Sequence, residues 1–331
     1  MAERRIRWGV ISTANIGRAA VNPAIQASRN GRLDAVASRD GERAREFATA
    51  HSIPTWYGSY EALLDDPDID AVYIPLPNSL HREWAVRAAE AGKHVLCEKP
   101  LALDAAECLD MEAAARANGV KLMEAFMYRF HPRTKRVVEM VRSGLIGDVK
   151  AIRTAFTFRL TRKDNIRLDP TLGGGALMDV GCYCVNVSRT IVGAEPVSVQ
   201  AVAQWTERGV DEALAGMLHF PEGVVSHFDC SLTMERSEAF EVAGTDGYLR
   251  VPAAFLPGTG PVGIEEVRGR EPVKTHTLEG TDEYLLMVEH FADCILLDVE
   301  PRYSASEAAA NMRVIEALYR SARSGGVSVT L

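Results

Sequence analysis

The sequence of 331 residues lacks several features that identify whole classes of protein. It has no run rich in Lys or Arg and its formal net charge is −8, which argues against nucleic acid or an anionic membrane as the main partner. No apolar run approaches the length that crosses a bilayer, and the charged segment 1–7 leads into a strand without a signal-peptide pattern. We therefore expect a cytoplasmic location.

Cysteine is scarce, and its spacing does not suggest metal binding. The six cysteines form no CxxC pair, and no histidine cluster accompanies them at zinc-like spacing. We interpret them as reduced core side chains and predict no metal site. The composition, 47% hydrophobic and 25% charged, is typical of a globular protein long enough for two domains.

The first part of the chain contains a regular alternation of short apolar strands and helices. Strands are predicted over residues 6–11, 33–38, 71–74, 94–97 and 120–124. Helices are predicted over residues 16–28, 42–51, 79–91 and 104–118. This alternation predicts an α/β domain with a doubly wound parallel sheet of the Rossmann type over residues 1–125.

The pattern changes after about residue 148. Strands are predicted over residues 150–161, 197–205, 212–219, 224–232, 239–244 and 248–251, and helices over residues 176–192, 282–297 and 304–324. Loops with Gly between some of these strands favour antiparallel hairpins. We expect a second, α+β domain over residues 126–331 with a large, mostly antiparallel open sheet, its last helices packing back on the first domain.

The turn after the first strand is a degenerate dinucleotide-binding pattern. Ser12, Ala14 and Gly17 stand where GxGxxG has glycines, and small residues still let a pyrophosphate approach the backbone and the helix N terminus. The match gains weight from its position between the first strand and the first helix. We predict that this turn binds the cofactor through Ser12, Thr13, Ala14, Asn15 and Ile16.

The end of the second strand bears on which cofactor is bound. Ser38 and Arg39, with Arg43 one turn later, suit a 2′-phosphate because arginine makes bidentate bonds to phosphate. Asp40 could instead accept a hydrogen bond from a ribose 2′-hydroxyl or cap the following helix. NADP(H) is therefore preferred, and NAD(H) remains possible.

Three side chains could handle a proton. Lys99, in Glu98-Lys99-Pro100, follows a predicted strand and is held out of a helix by the proline. Asp179 and Tyr183 are four residues apart in a predicted helix after three glycines, so they would share one face. Taken singly, each could equally be a solvated lysine, a carboxylate at a helix start or a core tyrosine.

These motifs together resemble those of the glucose–fructose oxidoreductase/inositol dehydrogenase (Gfo/Idh/MocA) family of NAD(P)-dependent sugar and polyol oxidoreductases. The resemblance covers essentially the whole chain. The matching segments, besides the opening strand and turn, are residues 74–78 with His81, residues 92–101, residues 127–132 and residues 173–183.

The resemblance implies roles for individual residues. Lys99 and Asp179 match the lysine and aspartate of the family, and Tyr183 replaces its common histidine, as in the NADP-dependent dihydrodiol and xylose dehydrogenase and sugar ketoreductase branch. It also implies dimers or tetramers formed through the C-terminal sheet. Further cofactor contacts are expected from Pro75, Leu76, Asn78, His81, Glu98, Lys99 and Arg129.

We therefore expect an enzyme that transfers a hydride between nicotinamide C4 and a CH–OH or carbonyl group of a sugar, keto-sugar or dihydrodiol. Tyr183 is expected to be the general acid/base, with Lys99 as its electrostatic partner or as the proton donor. Weaker candidates for substrate contact are Tyr128, Arg167, Asp169 and Tyr284. The alternatives are an NAD-dependent dehydrogenase of an inositol-like polyol and a non-catalytic regulator that senses a dinucleotide.

Overall fold

The computed structural model describes residues 4–331, so the start of the charged segment 1–7 lies outside the described residues. The chain divides into two compact units. The first comprises Met1–Met127 and Asp282–Ala309, and the second comprises Tyr128–Thr281 and Ala310–Leu331. Within residues 4–331, the helices are all too short or too polar to cross a membrane.

Strands and α-helices are numbered here along the chain. The strands are β1 (Ile6–Ile11), β2 (Gly31–Ala37), β3 (Thr55–Tyr57), β4 (Ala71–Ile74), β5 (His94–Cys97), β6 (Leu122–Glu124), β7 (Val149–Arg159), β8 (Ser198–Trp205), β9 (Asp211–His219), β10 (Val225–Ser231), β11 (Thr233–Gly244), β12 (Tyr248–Pro252), β13 (Val262–Arg268), β14 (Glu271–Leu278) and β15 (Val329–Thr330). The helices are α1 (Asn22–Ala27), α2 (Gly41–Ala50), α3 (Tyr60–Leu64), α4 (His81–Glu90), α5 (Ala105–Ala117), α6 (Pro132–Arg142), α7 (Cys182–Val192), α8 (Glu283–Leu297) and α9 (Ala305–Arg323).

The first unit contains a six-stranded sheet in the order β3-β2-β1-β4-β5-β6, with every neighbouring pair parallel. This confirms the predicted doubly wound sheet. Late in the chain, α8 completes the unit: the ring centroids of Trp8 and Phe291 lie 5.8 Å apart, and Asn30 Nδ2 donates to the Glu289 carbonyl at 2.8 Å. Both aromatic side chains are fully buried.

The second unit contains a nine-stranded sheet in the order β14-β13-β12-β11-β7-β10-β9-β8-β15. Only the central β7–β10 pair is parallel, which confirms the mostly antiparallel prediction. One face is buried and the other is largely uncovered. A row of one apolar and five polar side chains crosses the uncovered face in cross-strand register: Met217, His227, Arg153, Glu241, Arg250 and Glu265.

Two predicted helices differ from the structure at their N termini. The helices predicted over 16–28 and 176–192 begin as π-helical turns, Gly17–Val21 and Leu177–Gly181, and continue as α1 and α7. Asp179 lies in the second π turn, whose wider winding alters the direction between residues four apart. The one-face argument for Asp179 and Tyr183, which assumed an α-helix, therefore does not hold as stated.

Several elements were not predicted. They are β3, α3, β13, β14 and β15. Helix α6 did carry a signal, because His131 caps it and Pro132 opens it. By contrast, β14 is mostly exposed and lacks an apolar face, so alternation could not reveal it.

Candidate active site

Ser12 gives the turn after β1 the backbone conformation of a glycine. Its φ is 124°, a region that residues with a Cβ rarely occupy. Its hydroxyl donates to the Pro75 carbonyl at 3.1 Å and accepts the Ala14 N–H at 3.2 Å. The turn, which continues through Thr13, Asn15 and Ile16 into the π turn, is therefore fixed to the end of β4. Strained backbone of this kind is concentrated at ligand-binding sites.

Gly17 fills the role of the last glycine of the motif. A Cβ there would lie 3.2 Å from Asn22 Oδ1, a tight contact, and 3.6 Å from Tyr73 Cε1, an ordinary one, so a glycine lets the helix start lie close to the sheet. Together with Ser12, this turn fits a bound dinucleotide.

The charged residues after β2 have two different roles: Asp40 caps a helix, and Arg39 and Arg43 are exposed cations. Asp40 Oδ1 accepts the N–H groups of Glu42 and Arg43 at 3.0 and 3.2 Å, so this carboxylate caps α2. Arg39 hydrogen-bonds the Tyr60 hydroxyl, and both Arg39 and Arg43 lie close enough to oppose the rise that burial causes in the pKa of Tyr60. The end of β2 thus presents two neighbouring guanidinium groups, a donor set that fits a phosphate.

The Lys99 turn is held by carboxylates on both sides. Glu98 Oε1 accepts the Tyr73 hydroxyl at 2.6 Å, and Glu98 Oε2 accepts the Lys99 N–H at 3.3 Å. On the far side, Glu124 Oε1 accepts the Leu101 N–H at 2.8 Å. The Lys99–Pro100 peptide bond is cis. Lys99 therefore leaves the carboxyl end of β5 from a fixed backbone, at the sheet edge where such folds bind ligands.

His81 joins the loops that follow β4 and β5. Its Nε2 lies 2.8 Å from the Leu76 carbonyl and its Nδ1 lies 3.0 Å from the Pro100 carbonyl. The side chain is fully buried, which lowers the pKa of His81 despite the opposing carbonyls. Both ring nitrogens face backbone carbonyls, so His81 bridges the two loops, and its contact with the cofactor stays a prediction. Asn78, in the short turn before α4, stays at an intermediate exposure.

Asp179 forms an ion pair with one of the weaker candidates from the sequence. Arg167 Nε lies 2.6 Å from Asp179 Oδ2, and the Arg167 guanidinium carbon lies 5.7 Å from the centroid of the Phe158 ring. Arg167 also accepts the Gly175 N–H through its carbonyl at 3.0 Å. The glycine turn thus brings together an arginine and an aspartate twelve residues apart.

Tyr183 lies in an aromatic cluster of the second unit. Its ring centroid is 5.1 Å from that of Phe156, 5.2 Å from that of Phe255 and 5.8 Å from that of Tyr128. The residue is 4% exposed, so most of its ring is packed against neighbours. Tyr128 is fully buried and its hydroxyl donates to Asn186 Oδ1 at 2.6 Å, and its contact with a substrate stays a prediction.

The remaining candidates are placed as follows. Asp169 accepts hydrogen bonds from the backbone and hydroxyl of Thr171 at 2.9 and 2.7 Å and pairs with Arg208, so it stabilises the loop before the glycines. Tyr284 belongs to the first unit, where it acts electrostatically on Tyr73. Arg129 is 8% exposed. Across residues 4–331, groups of three or more side chains suited to a metal ion do not occur.

Sequence reasoning missed three residues that shape these sites: Tyr73, Glu124 and Asp211. Tyr73 and Glu124 lie on predicted strands, where an apolar or strand-ending role was the simpler interpretation. Their positions at or near the carboxyl ends of β4 and β6, beside β5, were the available signal. Asp211 binds residues more than 30 positions away and carried no local signal.

The parallel sheet, the Ser12 turn and the Lys99 turn define a dinucleotide-binding protein with a second, sheet-containing unit. The chain belongs to the GFO/IDH/MocA oxidoreductase family: residues 6–126 match its model of the NAD-binding Rossmann fold, and residues 134–250 match its C-terminal domain. The protein is thus an oxidoreductase, and the family resemblance of its motifs is confirmed.

Three relatives illustrate the similarity. D-xylose 1-dehydrogenase (NADP(+)) 2 of Haloferax volcanii is 42% identical over 323 residues, covering 96% of this chain and 98% of that protein. Trans-1,2-dihydrobenzene-1,2-diol dehydrogenase of Mus musculus is 35% identical, covering 88% of each chain. A crystal structure of a 3-ketoreductase from Actinomadura kijaniata with NADP and TDP-benzene superposes with a TM-score of 0.92 at 31% identity, covering 96% and 98% of the two chains.

Proposed function

We propose that this protein is an NADP(H)-dependent oxidoreductase that interconverts an alcohol and a carbonyl group in a sugar, keto-sugar or dihydrodiol. The observation that carries the proposal is the Lys99 turn, fixed by Glu98 and Glu124 at the carboxyl edge of the dinucleotide-binding sheet. The xylose dehydrogenase, the dihydrodiol dehydrogenase and the ketoreductase support the same class of reaction and substrate.

NADP(H) is proposed in preference to NAD(H). Arg39 and Arg43 offer two guanidinium groups at the end of β2, where a 2′-phosphate would lie. Asp40 is already engaged as the cap of α2, so it is poorly available to a ribose hydroxyl. The names of two relatives mention the same cofactor.

The residues of this chain would position the substrate and move its proton. When bound, the cofactor supplies or accepts a hydride at nicotinamide C4. In the reductive direction, the Tyr183 hydroxyl donates a proton to the carbonyl oxygen, and the Lys99 ammonium stabilises the resulting phenolate or donates the proton itself. Asp179, paired with Arg167, orients the reacting hydroxyl. The second unit is proposed to supply the substrate-binding residues.

The test compares Lys99→Met and Tyr183→Phe with the wild-type enzyme. We expect kcat to fall by roughly 10²- to 10⁴-fold in the variant that loses the proton donor, with NADPH affinity nearly unchanged. Turnover would be followed by NADPH absorbance in both directions with aldoses including D-xylose, keto-sugars and dihydrodiols. Lys150→Met, which removes an exposed lysine paired with Asp148, is the matched control. Wild-type turnover in both site variants would contradict the assignment.

A homodimer or homotetramer formed through the uncovered face of the nine-stranded sheet is also proposed. Val202 and Met217 on that face are 60% and 37% exposed, and a cavity of about 400 Å³ lies over β7, β10, β11 and β12. Charges of both signs flank it, as a self-complementary surface requires. A cytoplasmic location is proposed because all six cysteines are free thiols and buried.

A further inference from the structure

A buried carboxylate that the proposed chemistry does not use lies beside the glycine turn of the second unit. Asp211 begins β9 and is 1% exposed. Its Oδ2 accepts the Leu177 N–H at 2.7 Å, and its Oδ1 accepts the Tyr319 hydroxyl at 2.8 Å. Burying an ionisable group is costly unless it is hydrogen-bonded, so these two donors fix where the carboxylate can lie.

The bond to Leu177 occurs at the N terminus of the helix that carries Asp179 and Tyr183. The first N–H groups of a helix lack partners within the helix, and Ala176 at this N terminus provides no side-chain cap. Asp211, on strand β9, supplies the missing acceptor for the Leu177 N–H. Its negative charge also interacts favourably with the positive end of the helix dipole.

Gly175 provides the space that the carboxylate occupies. Its φ is +136°, and a Cβ there would lie 2.1 Å from Asp211 Oδ1 and 2.8 Å from the Tyr319 hydroxyl oxygen. No side chain could be accommodated without displacing one of these groups. The third glycine of the turn is therefore explained by Asp211.

We propose that Asp211 is a positioning residue, which joins β9 and α9 to the N terminus of the helix that presents Asp179 and Tyr183. This inference rests on the proposed function, because positioning matters to turnover only if that helix carries the reacting groups. Small displacements of such groups lower rates strongly, whereas nucleotide binding depends on residues of the first unit.

The variant that tests the proposal is Asp211→Asn, which keeps the shape of the side chain but replaces one acceptor oxygen by a donor. We expect kcat per NADPH-binding site to fall roughly ten- to a hundredfold, with the NADPH dissociation constant changed by less than about threefold. Hydrogen exchange over residues 176–183 should accelerate about tenfold. Asp148→Asn, the same change at an exposed carboxylate, is the control and should leave all three quantities unchanged.

A pH series separates positioning from general weakening of the fold. Burial raises the pKa of Asp211 to about 6, and the groups that face it are Tyr319 and Arg323 of α9, Cys230 of β10 and the Leu177 N–H. As the pH falls through this value, the carboxylate loses its charge. The ratio of the wild-type kcat to the Asp211→Asn kcat should therefore approach one. Lower stability of the variant would not by itself produce this change.

If both hydrogen exchange and kcat per site are unchanged in Asp211→Asn, the inference is wrong and the proposed function is unaffected. If the wild-type enzyme turns over no substrate of the panel, the proposed function fails, and hydrogen exchange alone decides whether Asp211 positions the helix. If Asp211→Asn does not fold, Tyr319→Phe, which keeps the Leu177 bond, should give smaller changes in the same direction, and no change would overturn the inference.

Discussion

Arg39 and Asp40 are neighbours in the chain, yet the structure gives them different roles. The carboxylate of Asp40 faces its own helix and accepts two N–H groups, whereas Arg39 reaches the Tyr60 hydroxyl near Arg43. The Asp40 carboxylate is thus occupied within its own helix, whereas the Arg39 and Arg43 side chains stay exposed beside it. An acidic residue after β2 is not by itself evidence for NAD.

Arg39→Ala should weaken NADPH binding and leave NADH binding nearly unchanged. A charge-assisted bond to phosphate contributes roughly 1.5–3 kcal/mol, so we expect the NADPH dissociation constant to rise about ten- to a hundredfold. Titration of both nucleotides by fluorescence measures this. Arg45→Ala is the matched control, since Arg45 is an exposed arginine on the helix that follows, α2, and pairs with Glu42. Equal losses for NADPH and NADH would contradict a 2′-phosphate contact.

At the scale of elements, the ends of neighbouring strands are joined by buried side chains. The loops after β4 and β5 meet through His81, and those after β1 and β4 meet through Ser12. The sheet edge that would receive the cofactor is therefore a connected set of loops. Tyr73, on β4, extends the set to Glu98.

Replacing His81 tests this connection. His81→Leu keeps a side chain of similar size but removes the single N–H of the neutral imidazole, so one of the Leu76 and Pro100 carbonyls loses its buried donor and we expect the free energy of unfolding to fall by about 1–3 kcal/mol. Urea denaturation followed by circular dichroism measures the change. His51→Leu, at the end of α2, should cost much less. A loss in His81→Leu no larger than that of the control would show that the bridge adds little stability.

The same elements show what a sequence can and cannot reveal. The parallel sheet was predictable because strand alternation is a local signal. The roles of Lys99 and Asp179 rest on short local motifs and stay predictions. The glycine-like φ of Ser12 was not predictable, because its hydroxyl bonds the Pro75 carbonyl of another loop, 63 residues along the chain. Asp211 lay beyond prediction for a similar reason: its partners, Leu177 and Tyr319, are 34 and 108 residues away along the chain.

For the whole molecule, Asp70 and Asp211 should have opposite effects on how the free energy of unfolding changes with pH. Burial acts to raise the pKa of Asp70, but hydrogen bonds from Arg7 outweigh it and the pKa is lowered. Asp70 therefore stabilises the fold at neutral pH, and this contribution is lost as the pH falls through its folded pKa. The pKa of Asp211 is raised to about 6, so the native state binds its proton more tightly and this group favours folding as the pH falls toward 4.

We therefore expect acidification to change the stability differences between wild type and the variants Asp211→Asn and Asp70→Asn in opposite directions. Between pH 7 and pH 4, the stability of wild type relative to Asp211→Asn should rise by about 2 kcal/mol, because a pKa change from 3.8 to about 6 is not fully expressed until the pH lies below 3.8. The stability of wild type relative to Asp70→Asn should fall with acidification. Denaturation midpoints across this pH range measure both differences. Parallel curves for wild type and Asp211→Asn would contradict the raised pKa.

The late segment Asp282–Ala309, which completes the first unit, has a consequence for synthesis on the ribosome. Trp8 is covered by Phe291, which is translated long after the sheet strands are complete. At roughly 5–20 residues per second, the interval between residues 127 and 291 lasts on the order of 10 to 30 seconds. Throughout that time the indole of Trp8, on β1, lacks the cover of Phe291. The first unit therefore cannot finish folding before its late segment is translated, and the second unit, which includes Ala310–Leu331, is completed later still.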